Sequence, residues 1–205
     1  MNKKDIIILS SFFDKNLVKN LYQSDLSLKN QNYLEQIKTI KNKNYFSRID
    51  LDYFFLKEYL SFEIFVNADY ALNKLFEEEN IQFKNYEEGI LKIIERFKPK
   101  IVILRDINCL SINKLIQLKN LNKLNFKTIL LNGFPIREHK MYSKFDYAVF
   151  RNPWLKSKFT NICKNSELIY HCFNSEILKK ISLNNFKERD KIIFFDGSSY
   201  SDGFY

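Results

Sequence analysis

Short aliphatic runs alternate with amphipathic helical stretches along this 205-residue chain, and that alternation limits its possible folds more than any other feature. Residues 5–9, DIIIL, form an apolar run without polar alternation, the pattern of a strand buried on both faces of a parallel sheet. Residues 14–44 are polar and helix-tending. Residues 48–60 read as a helix with Leu51, Phe54, Phe55 and Tyr59 on one face. A strand over 61–66 ends at Asn67, which suits the N-cap of a helix burying Ala68, Ala71, Leu72, Leu75 and Phe76. A second helix, 86–97, carries Ile90, Ile93, Ile94 and Phe97 and is stopped by Pro99.

Strand 100–104 follows, and then a helix capped by Ser111 that holds Ile112, Leu115, Ile116 and Leu118. Strands at 126–131 and 146–150, a helix opening at Pro153, a strand at 167–170, a short helix at 175–181 and a strand at 192–195 complete the order. Strand, helix, strand at this spacing predicts an α/β fold: a Rossmann-like, doubly wound parallel sheet with helices on both faces. The polar stretch 184–190 divides a domain over 1–183 from the start of a second over 191–205. The last strand and the small-residue turn after it are expected to open a domain truncated before its helix.

Composition narrows the class. At 45% hydrophobic and 16% aromatic residues the chain can fill a core, and four glycines and three prolines argue against a turn-rich all-β protein. The basic start before residues 6–13 mimics a leader, but no small-residue cleavage site closes it, so the run reads as a first core strand. The net charge of +9 is spread as short broken lysine runs without an arginine-rich motif. That pattern disfavours a nucleic-acid module and leaves peripheral attraction to an anionic membrane as an expectation. Cys109, Cys163 and Cys172 lack C-x-x-C spacing and read as reduced residues of a cytoplasmic protein rather than a disulfide or zinc framework.

In doubly wound sheets ligands gather beyond the carboxyl ends of the strands. The residues expected there are Ser10, Ser11 and Phe12; Arg105, Asp106 and Asn108; Gly133 and Phe134; Arg151 and Asn152; and His171. Asp106 fits a general base, a sugar-hydroxyl acceptor or a turn carboxylate, and His171 a catalytic or a loop histidine. Arg105 and Arg151 fit anion binding or the capping of strand-end carbonyls. Trp154, just inside a helix, reads as a core residue rather than a stacking platform. No G-x-G-x-x-G, Walker A or G-x-S-x-G motif is present, and His139 and His171 are not at metal-ligand spacing.

Several blocks carry a family likeness: YFSRIDLDYFFLKEYLSFEIFVNADYALNKLFEEENI, ILKIIERFKPKIVILRD, KFDYAVFRNPWLKSKF, LIYHCFNSEILKKI and RDKIIFFDGSS. In this order they resemble the amino-terminal half of a GT-B-fold glycosyltransferase, of the bacterial group similar to spore-maturation-protein-like and family 1-type enzymes. Asn174 stands where that group usually has an acid. The resemblance implies a first domain on the acceptor side, shaped by the loop residues above, with Asp106 and His171 as catalytic candidates. Gly197 and Ser198 would lie near the donor phosphates. It further implies a nucleotide-sugar donor, a glycan, lipid-linked or protein acceptor in surface polysaccharide or glycoconjugate synthesis, and no resident cofactor or metal. A chain lacking the rest of the donor domain is expected to be inactive alone. A non-catalytic doubly wound domain that binds carbohydrate or protein is the alternative.

Overall fold

The computed structural model describes residues 4–11, 15–43, 61–132 and 139–169, all within one unit, Met1–Phe173. Six strands form one parallel sheet: β1 (Ile6–Ser10), β2 (Ser61–Phe65), β3 (Ile101–Leu104), β4 (Lys127–Asn132), β5 (Tyr147–Phe150) and β6 (Ser166–Leu168). Their spatial order is β2-β1-β3-β4-β5-β6, so the direction of winding reverses at β1. The protein is therefore α/β with an all-parallel sheet. Its topological switch point lies between β1 and β3, where such sheets open a crevice at their carboxyl ends.

The helices are α1 (Lys15–Ser24), α2 (Tyr33–Lys43), α3 (Asp69–Glu78), α4 (Tyr86–Phe97), α5 (Ile112–Leu121) and α6 (Pro153–Phe159), with short 3₁₀ turns at Leu26–Asn30, Ile107–Cys109 and His139–Lys144. Parallel register aligns Ile7 with Phe62 and Val102, and Leu9 with Ile64 and Leu104, on one face of the sheet. These residues join the main core with Val18, Ile37, Leu72, Ile94, Leu115 and Phe159, one from each of the helices described. Ile6, Ile8 and Ile103 form a smaller cluster with Ile101, Ile129 and Leu131, and among the described residues it consists of strand residues alone. The helices read at 48–60 and 175–181 and the strand read at 192–195 lie outside the described residues.

One helix start differs from expectation and another keeps its cap residue without the capping bond. α3 begins one residue later than an Asn67 cap would place it: Ala68 is the N-cap and makes no side-chain capping bond. Ala68 is fully buried, its N–H donates to the Phe65 carbonyl (3.3 Å), and its carbonyl accepts from Leu72 (2.8 Å). Core packing, rather than a polar side chain, sets that turn. Ser111 does sit at the N-cap of α5, also without a side-chain capping bond. Its own N–H instead donates to Glu87 Oε1 of α4 at 3.1 Å.

On the outer side of β2 one side chain pairs with two backbone groups. Tyr33, at the start of α2 and 1% exposed, donates its hydroxyl to the Glu63 carbonyl (2.8 Å) and accepts from the Phe65 N–H (3.1 Å). These outward-facing backbone groups would otherwise be a template for strand addition. Among the described residues no helix is long and apolar enough to cross a membrane.

Candidate functional site

Beside the switch point a charged cluster ties the middle of β2 to the carboxyl ends of β1 and β3. Glu63 occupies the third position of β2, in register with Ile8 of β1. Ser10 follows on the same face and is 1% exposed; its hydroxyl donates to Glu63 Oε1 at 2.7 Å. Arg105, the residue after β3, brings Nη1 to 3.0 Å from the same oxygen and 3.5 Å from Ser10 Oγ. Its backbone N–H donates to the Leu9 carbonyl at 2.9 Å, which fixes where the side chain starts. Lys41 of α2 pairs with Glu63 Oε2, and its ammonium lies 5.0 Å from the centre of the Phe65 ring.

The Glu63 side chain is only 15% exposed. Burial pushes its carboxyl up, but the charges of Lys41 and Arg105 and the hydrogen bonds from Lys41 and Ser10 prevail and hold it below the usual carboxylate range. A carboxylate this enclosed is tolerated because both oxygens are paired, and removing a partner would strand the remaining charge.

Next to this cluster, Ser11 is exposed and hydrogen-bonds the Cys109 thiol. Burial, and secondarily the Asp106 charge, pushes that thiol up to about 12, so Cys109 is a neutral packing group rather than a nucleophile. Asp106 Oδ1 accepts from the Asn108 backbone N–H (2.9 Å) and from Asn108 Nδ2 (3.0 Å), which caps the turn Ile107–Cys109. Asp106 and Asn108 are thus brought together, but on each other.

Two strands further along the sheet, Arg151 is half-buried at the end of β5 and Asn152 is exposed. Asn152 Oδ1 accepts from the Trp154 N–H at 2.8 Å and caps α6. Trp154 departs from the reading as core: it is 55% exposed, because Leu155 and Phe159 supply the buried face of this one-sided helix. Phe12, Gly133, Phe134, His171, Gly197 and Ser198 lie outside the described residues.

Sequence reasoning missed Glu63 and Lys41. The signal was a lone carboxylate inside the apolar strand SFEIF, at a position of the same face as the strand-end residues. Asp146, a carboxylate within the block KFDYAVFRNPWLKSKF, is structural. It precedes β5 and accepts from Thr128 N–H (2.8 Å) and Thr128 Oγ1 (3.1 Å) of β4. Burial opposes its ionised form, but those bonds and the nearby Lys119 hold its pKa low.

A recess of about 470 Å³ lined by Asn80, Ile81, Gln82, Lys92, Glu95 and Arg96 lies at the other end of the molecule, where α4 runs into the start of β3. Its cations are engaged, Lys92 with Glu88 (2.8 Å) and Arg96 with Glu79 (3.5 Å). Among the described residues no three His, Cys, Asp or Glu side chains are grouped to hold a metal.

No family model matches this chain, and searches of curated proteins and of solved structures return no significant match either.

Proposed function

We propose that this chain is the acceptor-side domain of a GT-B-type glycosyltransferase, with its saccharide site on the rim formed by the ends of β1, β3 and β5. The observation that supports this reading best is the fixed polar floor beside the switch point, where Ser10 at the end of β1, Glu63 in the middle of β2 and Arg105 just after β3 lie within hydrogen-bonding distance. A sugar acceptor needs hydroxyl-matching donors and acceptors held rigidly in one place, and a floor tied to three strands supplies that preorganisation. Ser11, Asp106 and Asn108 follow the same strand ends, and Arg151 and Asn152 follow β5 two strands further along the same rim. The donor would be a nucleotide sugar, and the residues that would face its phosphates, Gly197 and Ser198, enter through the family resemblance alone.

One observation favours the non-catalytic alternative, a carbohydrate-binding domain. The two carboxylates described at the rim are both engaged: Glu63 with two cations, and Asp106 with its own turn. Neither is set up to abstract a proton. Calorimetry with a panel of neutral and acidic oligosaccharides tests both readings. Binding that weakens tenfold or more in Asn108→Ala, an exposed position, with an unchanged unfolding transition is expected. A panel of which no member binds overturns both readings. With a complete donor domain joined to the chain, nucleoside diphosphate release from a nucleotide sugar that rises with the bound saccharide would select the enzyme.

A further inference from the structure

We propose that Trp154 is a stacking platform for a sugar ring, forming an outer subsite of the rim that selects an oligosaccharide over a monosaccharide; this rests on the saccharide reading above. Trp154 is 55% exposed on the first turn after β5, although it is the largest apolar side chain in the protein. Leaving that much aromatic surface in water is unfavourable, and the core does not need it: Leu155 and Phe159 bury the inner side of α6 at 2% and 1% exposure. The backbone N–H of Trp154 is bonded to Asn152, which sets the direction of the residue. Lys158, one turn along α6, places its ammonium 4.7 Å from the ring centre.

The surroundings identify the class of ligand. Along the same stretch Asn152, Ser157 and Lys158 are exposed and polar, Pro153 is exposed and apolar, and Arg151 is half-buried at the strand end. A protein partner or acyl chain would need a broad contiguous apolar patch, whereas the exposed apolar groups at this strand end are few, Trp154 with Pro153 and Ile169, and polar residues alternate with them. A pyranose matches it, because it offers a face of C–H bonds to the ring and hydroxyls to the polar groups at its margin. Strand β5 lies two neighbours from β3, about 10 Å across the sheet. That separation from Arg105 exceeds one sugar ring, so a ligand touching both positions has several.

Trp154 is the protein's single tryptophan, so its fluorescence reports this subsite alone. The full chain is titrated with glucose-, galactose- and mannose-based mono-, di-, tri- and tetrasaccharides while Trp154 emission and its quenching by iodide are followed, with calorimetry in parallel. The longer saccharides are expected to shift emission to the blue and lower the iodide quenching constant at least twofold, with little effect from monosaccharides. Trp154→Ala should weaken their binding about tenfold and Trp154→Phe less. Saccharide binding by calorimetry that leaves emission and quenching unchanged overturns the platform and leaves the proposed function standing. Failure of every saccharide to bind removes both.

Discussion

The substitution Glu63→Gln tests the physical reading of the switch point. The glutamine amide keeps the shape and one carbonyl oxygen but removes the charge that Lys41 and Arg105 share. Breaking a buried ion pair from one side costs about 3–5 kcal/mol. Lys41 is 31% exposed and can turn toward water, so the lower end, about 3 kcal/mol, is expected at neutral pH. The pH dependence gives a sharper signature. The folded protein holds the Glu63 carboxyl below its ordinary 4.5, so the associated stability is present above that value and is lost as pH falls through the folded pKa. Urea unfolding followed by circular dichroism should therefore show a wild-type-minus-variant difference that is constant from neutral pH down to about 5 and shrinks at more acid pH. Asp146, also depressed, titrates in both proteins and cancels in that difference. An equal midpoint for the two proteins at neutral pH, or a difference that does not shrink in acid, would refute the account of a paired carboxylate.

Tyr33→Phe should cost about 1–3 kcal/mol in the same urea experiment, because the Glu63 carbonyl and the Phe65 N–H both lose their partner on the outer side of β2. An unchanged midpoint would mean that water replaces the hydroxyl there. Gly89→Ala sets two effects against each other. Alanine gains about 1 kcal/mol of helix propensity, but its Cβ would lie 2.6 Å from the Phe76 ring. Phe76 is 1% exposed and packed on Phe83 at 4.4 Å between ring centres, so it has little room to yield. Overpacking of about 1–3 kcal/mol should win, and a rise in melting temperature would show otherwise. Cys109 should resist iodoacetamide at pH 8 in the folded chain when modification is mapped by peptide mass spectrometry. Rapid labelling there would contradict the neutral thiol.

Much of the sheet was legible because its signal is redundant. The runs IIIL and IVIL have no polar alternation, and helices with apolar residues at 3–4 spacing lie between most of the strands, so the parallel arrangement follows from either pattern. Helix 86–97 is legible to the residue because Pro99 and the apolar stripe agree; the structure adds an Asn85 cap at its start, and its C-cap, Lys98, takes the left-handed conformation at φ 48°. Asn67 misleads because a capping preference of about 1 kcal/mol gives way to the burial of Ala68. The site was only half legible. Strand-end positions such as Ser10 and Arg105 can be read from topology, but which of them meet depends on the order β2-β1-β3, which sequence periodicity does not contain. Glu63 and Lys41, 22 residues apart, form a pair only once α2 lies against the β2 edge. Trp154 misleads because one helical position does not tell which face of a seven-residue helix is buried.

Saccharide binding is proposed at the carboxyl end of the sheet. Amide chemical-shift mapping of the full chain with an oligosaccharide that binds by calorimetry tests it most directly. The account predicts shifts at Ser10, Ser11, Arg105, Asp106, Asn108, Asn152 and Trp154, with Asn80, Gln82 and Arg96 unmoved. Shifts gathered around Asn80, Gln82 and Arg96, with the rim residues unmoved, would contradict it.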